Sequence, residues 1–333
     1  MKKIFSLLPA LLFIFSVACS SHNAKDTVSI YTSAYPETLK RLDEALRAKY
    51  PNLDLQWFQN GSENVAAKIA LERLSHKVNA DVVMTSDVFW FRKMQKEGFW
   101  QPYHVDTAYV VPESFNGKDS SFTTARVSAV VIGYNQKFVS DADAPKSFAD
   151  LKDPKWQGKL TSASPLESGT CYMLMNSLVY KYGYDFLTAL KANQLLSAGG
   201  NGAAVTRLSS GERPVAMTLL ENLLAEQKKN PDIVIVYPED GTVLVPSPVG
   251  IVKGSPNLTA AQKVYDFFVS AEGQKLFTVE NLYVPDPSVA PPAGAKPFAE
   301  VQKTAFDLSD KFYDFVSQED SSFKNKYSDI ILN

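Results

Sequence analysis

The strongest constraint on the fold is a regular alternation of strand-like and helix-like patterns between residues 27 and 97. Short runs rich in β-branched and apolar residues predict strands, and longer segments with an apolar stripe every three or four residues predict helices. The predicted elements, alternately strand and helix, are 27–31, 36–49, 53–58, 65–74, 80–84 and 88–97. This order predicts an α/β fold with a mainly parallel sheet and helices on both faces.

A second α/β region follows a long apolar strand, predicted at 126–134, that could cross between two lobes. Its predicted helices and strands lie near 169–182, 184–193, 203–209, 215–219 and 233–237, and a return strand follows at 243–253. The last helices are predicted near 260–270, 273–278 and 297–315. We therefore predict a first lobe of 27–125 plus about 243–290, and a second lobe of 126–242 plus about 291–333.

The first residues have the pattern of an export signal. Lys2 and Lys3 precede an apolar run at 4–17, which is too short to span a bilayer as a mature helix. The run ends in Ser16-Val17-Ala18-Cys19, which is similar to a lipidation site, so we predict a signal peptide at 1–18, lipid attachment at Cys19 and a polar tether at 19–26. The alternative is an ordinary secretory signal with an incidental cysteine. Either signal predicts export, to the periplasm or the cell surface.

The charge composition argues against nucleic acid as a partner. Of the 34 basic residues, two lie in the leader, which leaves 32 against 36 acidic residues and no basic run that would favour nucleic acid. An apolar content of 45% and an aromatic content of 12% predict a well-packed protein, which we expect to be a monomer. After export only Cys171 remains, so no disulfide within the chain is expected, and we expect the lipid anchor to be the membrane contact.

Small hydroxyl and amide residues are concentrated where predicted strands lead into predicted helices. These junctions are 31–34, 85–87, 167–170 and 199–202. Each can offer side-chain donors together with the free amides of a helix's first turn, which suit a phosphate or carboxylate group. The candidate ligands from these junctions are Thr32, Ser33, Ser86, Ser168, Gly169, Thr170 and Asn201. The same residue types are common as helix caps for structural reasons alone.

Six segments resemble a known family along nearly the whole mature chain. They are 28–33, 80–86, 164–170, 210–216, 237–242 and 249–254. In these segments the chain resembles the bacterial extracellular solute-binding proteins of family 1, in the branch that binds ferric ion or organophosphates. The resemblance implies the two-lobed type II periplasmic-binding-protein fold, joined by crossing hinge strands. It also implies capture of a small solute by hinge closure for the permease of an ABC importer.

The sequence departs from the iron-binding members of that branch. Those proteins hold ferric ion with adjacent tyrosines, and the corresponding position here is Glu221-Asn222. They also often carry histidine where this chain has Tyr35. We therefore expect no metal and favour a small anionic metabolite, phosphorylated or phosphonate-bearing, with ferric-ion binding as the alternative. Arg126 could clamp its anionic group, and Glu221 could accept hydrogen bonds from its hydroxyl or ammonium groups. The structural alternatives are an Arg at a strand edge and a solvated carboxylate at a helix start.

No sequence motif supports catalysis. The chain lacks a Gly-x-Ser-x-Gly elbow, a His-Glu-x-x-His pair and a Walker-A loop, so we expect neither an enzyme nor a cofactor. Cys171 lies at a predicted helix start but has no evident histidine partner, which favours a buried core thiol. Trp57, Phe89 and Trp90 are better explained as core residues than as cleft residues. A receptor that reports ligand to a sensor kinase would share the fold and is the remaining alternative.

Overall fold

The computed structural model describes residues 26–106 and 111–333. The predicted signal peptide and Cys19 therefore lie outside the described residues. The first elements are β1 (Asp26–Thr32), α1 (Pro36–Lys49), β2 (Leu53–Gln59), α2 (Ser62–Leu74), β3 (Val82–Met84) and α3 (Val88–Lys96). Strand β1 pairs in parallel with β2 on one side and β3 on the other. The predicted alternation and its parallel sheet are confirmed, and we refer to this part as the first lobe.

The next strands include the first of two long crossing strands. The short β4 (Trp100–Gln101) precedes β5 (Thr123–Asn135), and the following elements are β6 (Leu160–Ser162), α4 (Gly169–Tyr182), α5 (Asp185–Ala192), β7 (Leu196–Ser197), α6 (Asn201–Ser210), β8 (Val215–Leu219), α7 (Leu220–Gln227) and β9 (Ile233–Val236). Strands β7, β6 and β8 pair in parallel, whereas β8 and β9 are both antiparallel to β5. The elements from β6 to β9 form the second lobe.

Strands β5 and β10 (Val243–Val252) join the lobes. They pair with each other in antiparallel fashion from Val130↔Val243 to Thr123↔Val249, with a register shift between Ser247 and Pro248. Strand β10 also pairs with β3 and β4 of the first lobe, and β5 also pairs with β8 of the second. The path through the sheet is β2-β1-β3-β10-β5-β8-β6-β7. The predicted boundary at residue 125/126 therefore falls inside a continuous strand, which suits a hinge.

The C-terminal helices differ from the prediction in one place. After α8 (Leu258–Val269) and α9 (Ala271–Val279), the helix predicted at 297–315 is two helices, α10 (Phe298–Lys303) and α11 (Asp310–Tyr327). The break exists because the amide of Phe306 donates to the carbonyl of Thr242 and its ring packs against Phe148, so this backbone is used in a tertiary contact. The single-helix prediction was wrong because its apolar pattern continues across the break.

Two hydrophobic cores cover the faces of the sheet. One lies in the first lobe, between its strands and α1, α8 and α9, and includes Leu42, Val264 and Phe268. The other is continuous from the opposite face of the first lobe into the second lobe. A bilayer-spanning helix, judged by length and apolar character, is not found in the described residues.

Candidate ligand cleft

A polar cleft of about 360 Å³ lies where the two lobes meet. Residues that follow the carboxyl ends of the parallel strands border this cleft. Strand β5 contributes the side chains of Arg126 and Ser128. Its lining is formed by Ser33, Tyr35, Gly61, Ser62, Ser86, Arg126, Ser128, Glu167, Ser168, Gly169, Thr170, Gly200, Asn201, Gly202, Leu219, Glu221 and Asn222. This is the place where open α/β sheets usually hold ligands.

The first turns of helices from both lobes border the cleft. Helix α2 begins after Gly61, α4 after Ser168, α6 after Gly200 and α7 after Leu219, and all four of these residues are part of the lining. The first amides of each helix have no partner within the helix, and the helix dipole is positive at this end. The cleft is therefore suited to an anion that accepts hydrogen bonds.

Ser168, Thr170 and Asn201 form a hydroxyl–amide cluster in the second lobe. Asn201 Nδ2 lies 3.2 Å from Ser168 Oγ and 2.9 Å from Thr170 Oγ1, and the two hydroxyl oxygens are 3.0 Å apart. Ser168 Oγ also accepts from the amide of Cys171, so both of its acceptor positions are used and its own proton donates to Thr170. Thr170 thus accepts twice, which leaves its proton free to donate into the cleft.

Arg126 is a buried cation in the cleft without a carboxylate partner among the described residues. Its Nη2 donates to Ser86 Oγ over a long 3.4 Å, and its Nε has no hydrogen-bond partner in that part of the chain. Burial lowers the pKa of the guanidinium, although Tyr35 and Glu221 act in the opposite direction. A buried charge that lacks a partner is costly, so an incoming anion would gain a strong contact here.

Glu221 is a buried acid on the same cleft. Its Oε1 accepts a hydrogen bond of 2.7 Å from Ser128 Oγ. Burial raises the pKa of this carboxyl to about 7, while the hydrogen bond from Ser128 and the charge of Arg126 act in the opposite direction. Glu221 therefore changes its protonation state near neutral pH, where a cationic or hydroxyl group of a ligand could select the ionised form.

The lobes touch each other across the cleft. The hydroxyl of Tyr35, just before α1, donates to Asn222 Oδ1 of α7 at 3.3 Å. A Cβ added to Gly169 in the second lobe would lie 3.4 Å from the carbonyl oxygen of Ser86 in the first. The structure therefore shows the lobes close together around the cleft.

Eight of the nine ligand residues predicted from the sequence lie in this lining, including Arg126 and Glu221. Thr32 does not line the cleft. Its side chain is fully buried, and its Oγ1 accepts a hydrogen bond from the amide of Ala34. A hydroxyl at a strand end can serve the turn itself, so the structure offers no support for Thr32 as a ligand residue. The predictions that Ser33, Ser86, Arg126, Ser168, Gly169, Thr170, Asn201 and Glu221 bind the ligand remain predictions.

Several residues that line the cleft were not predicted from the sequence. The main ones are Tyr35, Ser62, Ser128 and Asn222. Ser62 follows a strand–Asn–Gly junction and could have been found by the same rule as the others, but Ser128 lies inside β5, where no local pattern marks it. The core assignment of Trp57 agrees with its packing and with its bond to Asp43.

Cys171 is buried, and its thiol lies 2.9 Å from the carbonyl of Ala163. Burial raises the pKa of this thiol, the opposite of what a reactive cysteine needs. Over residues 26–106 and 111–333, no group of three or more His, Cys, Asp or Glu side chains is arranged to hold a metal ion.

Two α/β lobes on crossing strands, with a polar cleft between them, define a solute-binding protein. The profile of the bacterial extracellular solute-binding proteins matches residues 77–305, and the chain belongs to this family.

Individual relatives differ in the ligand that their names give. A Salmonella typhimurium periplasmic protein, whose name proposes 2-aminoethylphosphonate binding, is 26% identical over 279 residues, with 80% of each chain covered. Iron uptake protein A1 of Synechocystis is 26% identical over 278 residues, covering 78% of this chain and 75% of that protein.

Solved structures show the same fold. Iron-bound HitA from Pseudomonas aeruginosa has a TM-score of 0.79 at 22% identity and covers 91% of this chain and 99% of its own. AfuA from Actinobacillus pleuropneumoniae, with fructose-6-phosphate bound, has a TM-score of 0.77 at 22% identity and covers 92% and 98%. The predicted type II periplasmic-binding-protein fold is confirmed.

Proposed function

We propose that this protein captures a small phosphonate- or phosphate-bearing metabolite and delivers it to the permease of an ABC importer. The observation that carries the proposal is Arg126, a cation buried in the cleft without an ion-pair partner in the described chain. The surrounding helix starts add amide donors, and Ser86 and Thr170 add hydroxyls. These groups together complement an oxyanion that carries more than one charge.

Glu221 narrows the proposed ligand class to molecules with a second, cationic or hydroxyl-bearing end. Arg126 and Glu221 line one cleft, but no ion pair joins them within the part of the chain described here. A zwitterion could place its phosphonate on Arg126 and its ammonium on Glu221, so that each buried charge gains a partner. The name of the Salmonella relative, which proposes 2-aminoethylphosphonate as its ligand, supports this choice.

Ferric-ion binding is the alternative, because relatives and structural neighbours include iron proteins. The cleft supports it poorly. Tyr35 supplies the one phenol among the described residues that line the cleft, whereas the iron binders hold the ion with adjacent tyrosines. The paired tyrosines of the iron binders are replaced by Glu221-Asn222.

A thermal-denaturation screen followed by calorimetry tests the proposal. The candidates are 2-aminoethylphosphonate, hexose phosphates, phosphoglycerates, inorganic phosphate, spermidine and ferric citrate. A ligand at a hundred times its dissociation constant should stabilise the folded protein by about 2.7 kcal/mol. Stabilisation by ferric citrate with none by any organophosphate would overturn the ligand class. Turnover of a phosphoester by the pure protein would contradict a purely binding role.

We also propose that the protein is exported and held at the membrane by a lipid on Cys19, as a monomer. The leader and the family support export, and the residues Ser16-Val17-Ala18-Cys19 support lipidation. Replacing Cys19 with alanine should move the protein from the membrane fraction to the soluble fraction. An unchanged distribution, with no lipid on the N-terminal residue by mass spectrometry, would contradict the anchor.

A further inference from the structure

The C-terminal helix α11 belongs to the second lobe by its packing. It lies along α4, with Phe323 at 5.3 Å from Tyr172 and Phe312 at 5.4 Å from Tyr180, measured between ring centroids. Farther along, the hydroxyl of Tyr327 donates to Ser197 Oγ of β7 at 2.7 Å. Helix α11 must therefore move with the second lobe when the lobes separate.

The first turn of α11 also reaches the first lobe. Asp310 accepts from Arg92 Nη1 of α3 at 3.1 Å and from Lys118 Nζ at 2.7 Å. Arg92 is held on its own lobe, because its Nη2 donates to the carbonyl of Ser114 at 2.6 Å. The guanidinium is thus oriented toward Asp310 before the lobes meet, which reduces the entropy lost when the pair forms.

An aromatic contact and a second ion pair accompany this one. The Arg92 guanidinium lies 3.8 Å from the ring centroid of Tyr313, and Phe89 of α3 lies 5.4 Å from the same ring. At the other end of α11, Lys324 lies 3.5 Å from Glu63 of α2. All of these contacts join the first lobe to α11, and none involves a residue that lines the ligand cleft.

The space between these contacts is open. A groove of about 760 Å³ lies between α2 and α3 on one side and α11 on the other. Beside this groove the lobes meet through the ion pairs of Asp310 and through Phe89, which packs against the buried rings of Phe312 and Tyr313. The ion pairs lie at Asp310, whose side chain is half exposed, so they can open and close with the lobes.

We propose that the first turn of α11 is a latch that holds the two lobes together and sets the balance between open and closed forms without ligand. The latch consists of Asp310 with Arg92 and Lys118, together with the Tyr313 ring under Arg92. A ligand that binds the closed form gains apparent affinity in proportion to the closed fraction. Residues remote from the cleft would thereby tune affinity. This inference does not depend on which ligand is bound.

The test replaces Asp310 with asparagine, and Asp314→Asn is the matched control. Asp314 is on the same helix and lines the same groove, but it makes no ion pair within the described residues. Small-angle scattering of the ligand-free proteins should show a larger radius of gyration for Asp310→Asn than for wild type or the control. Because Asp310 loses its ion pairs with the largely buried Arg92 and the exposed Lys118, dissociation of 2-aminoethylphosphonate should be about twofold to tenfold faster.

Lys118→Gln gives a second variant whose folding is not at risk, since 74% of the lysine side chain is exposed. It should shift the ligand-free scattering in the same direction by a smaller amount. Ligand-free scattering identical to wild type for both Asp310→Asn and Lys118→Gln would overturn the latch. This measurement needs no ligand, so a failure of the phosphonate to bind would contradict the proposed function and leave the latch result standing.

Discussion

Arg126 and Glu221 show how single residues give the cleft its chemistry. Both side chains are buried on the lining, and each makes a polar contact with a serine, Ser86 and Ser128 respectively. Serine hydroxyls hold these groups in place but do not neutralise a charge. The cleft therefore contains a buried guanidinium, that of Arg126, and a buried carboxyl, that of Glu221, which titrates near neutral pH. A ligand has to offer a suitable partner to each of them.

Replacing Arg126 with methionine should separate binding from stability. Loss of a charge-assisted hydrogen bond costs about 1.5–3 kcal/mol, so the affinity for 2-aminoethylphosphonate should fall roughly 10- to 150-fold by calorimetry. The ligand-free protein should unfold at the same temperature or higher, because a buried cation without a partner is removed. Arg41→Gln, at an exposed site in the first lobe, is the control and should leave affinity unchanged. A large loss of ligand-free stability in Arg126→Met would show that the guanidinium is a structural group.

Glu221 should make the stability of the ligand-free protein depend on pH. The pKa of its carboxyl is about 7 in the folded protein, against an ordinary value of 4.5, so the folded state holds the proton more tightly. This contribution to the free energy of unfolding is fully present below pH 4.5 and is lost as the pH rises from 4.5 through 7. The loss amounts to about 3 kcal/mol. Urea unfolding at pH 5 and pH 8 should show most of this loss in wild type.

Glu221→Gln is the comparison, and it should lack this part of the loss. Asp266 also has a pKa raised by burial, but it is present in both proteins, so its effect cancels in the difference. An equal pH dependence in wild type and Glu221→Gln would mean that Glu221 is already ionised in the folded protein.

Among the helices and strands, the sequence predicted those that have a clear local pattern. Helices α1 and α4 begin and end where the apolar periodicity and the capping residues place them, with Pro36 at the start of one and Ser168 capping the other. The strands β6 and β7 were not predicted, since three and two residues carry too little pattern. Their existence depends on pairing with β8 and with each other, which only the folded sheet provides.

The candidate cleft was predictable to the extent that it is made of strand-to-helix junctions. The rule that small polar residues at these junctions border a ligand site selected Ser33, Ser86 and Ser168. It works because the carboxyl ends of parallel strands meet at one edge of the sheet. It could not find Ser128 or the Tyr35–Asn222 contact, because these depend on how the crossing strand and the two lobes come together. It could not foresee that Thr32 is fully buried, since burial of a hydroxyl is a tertiary property.

The junction of α8 and α9 requires glycine at residue 273. A Cβ there would lie 2.0 Å from the carbonyl oxygen of Phe267, which is backbone and cannot move aside without separating the helices. Gly273→Ala should therefore lower the free energy of unfolding by more than about 2 kcal/mol in urea titrations. The control is Gly202→Ala in α6, where a Cβ meets nothing within 4 Å, and it should stabilise the protein by roughly 0.5–1 kcal/mol. Equal stabilities for the two variants would show that the junction relaxes freely.

For the whole molecule, function depends on two crossing strands that let two rigid lobes approach and separate. Strands β5 and β10 pair along most of their length and continue into both halves of the sheet, so a small change of twist in them moves each lobe as a unit. The contacts between the lobes include the Tyr35–Asn222 bond at the cleft and the contacts that α11 makes with the first lobe. Ligand affinity should therefore reflect both sets of contacts, even though the ligand touches only one.

The Tyr35–Asn222 hydrogen bond tests closure at the cleft itself. It joins the lobes at 3.3 Å, and it can form only when they are together. Tyr35→Phe and Asn222→Ala should each weaken binding of 2-aminoethylphosphonate about fivefold, near 1 kcal/mol, mainly through faster dissociation measured by stopped flow.

Because both changes remove the same bond, the double variant should be little weaker than either single variant. Tyr180→Phe, outside the cleft on α4, should have no effect on dissociation. Losses that simply add in the double variant would mean that the two residues act separately, and that the bond is not part of the liganded closed form.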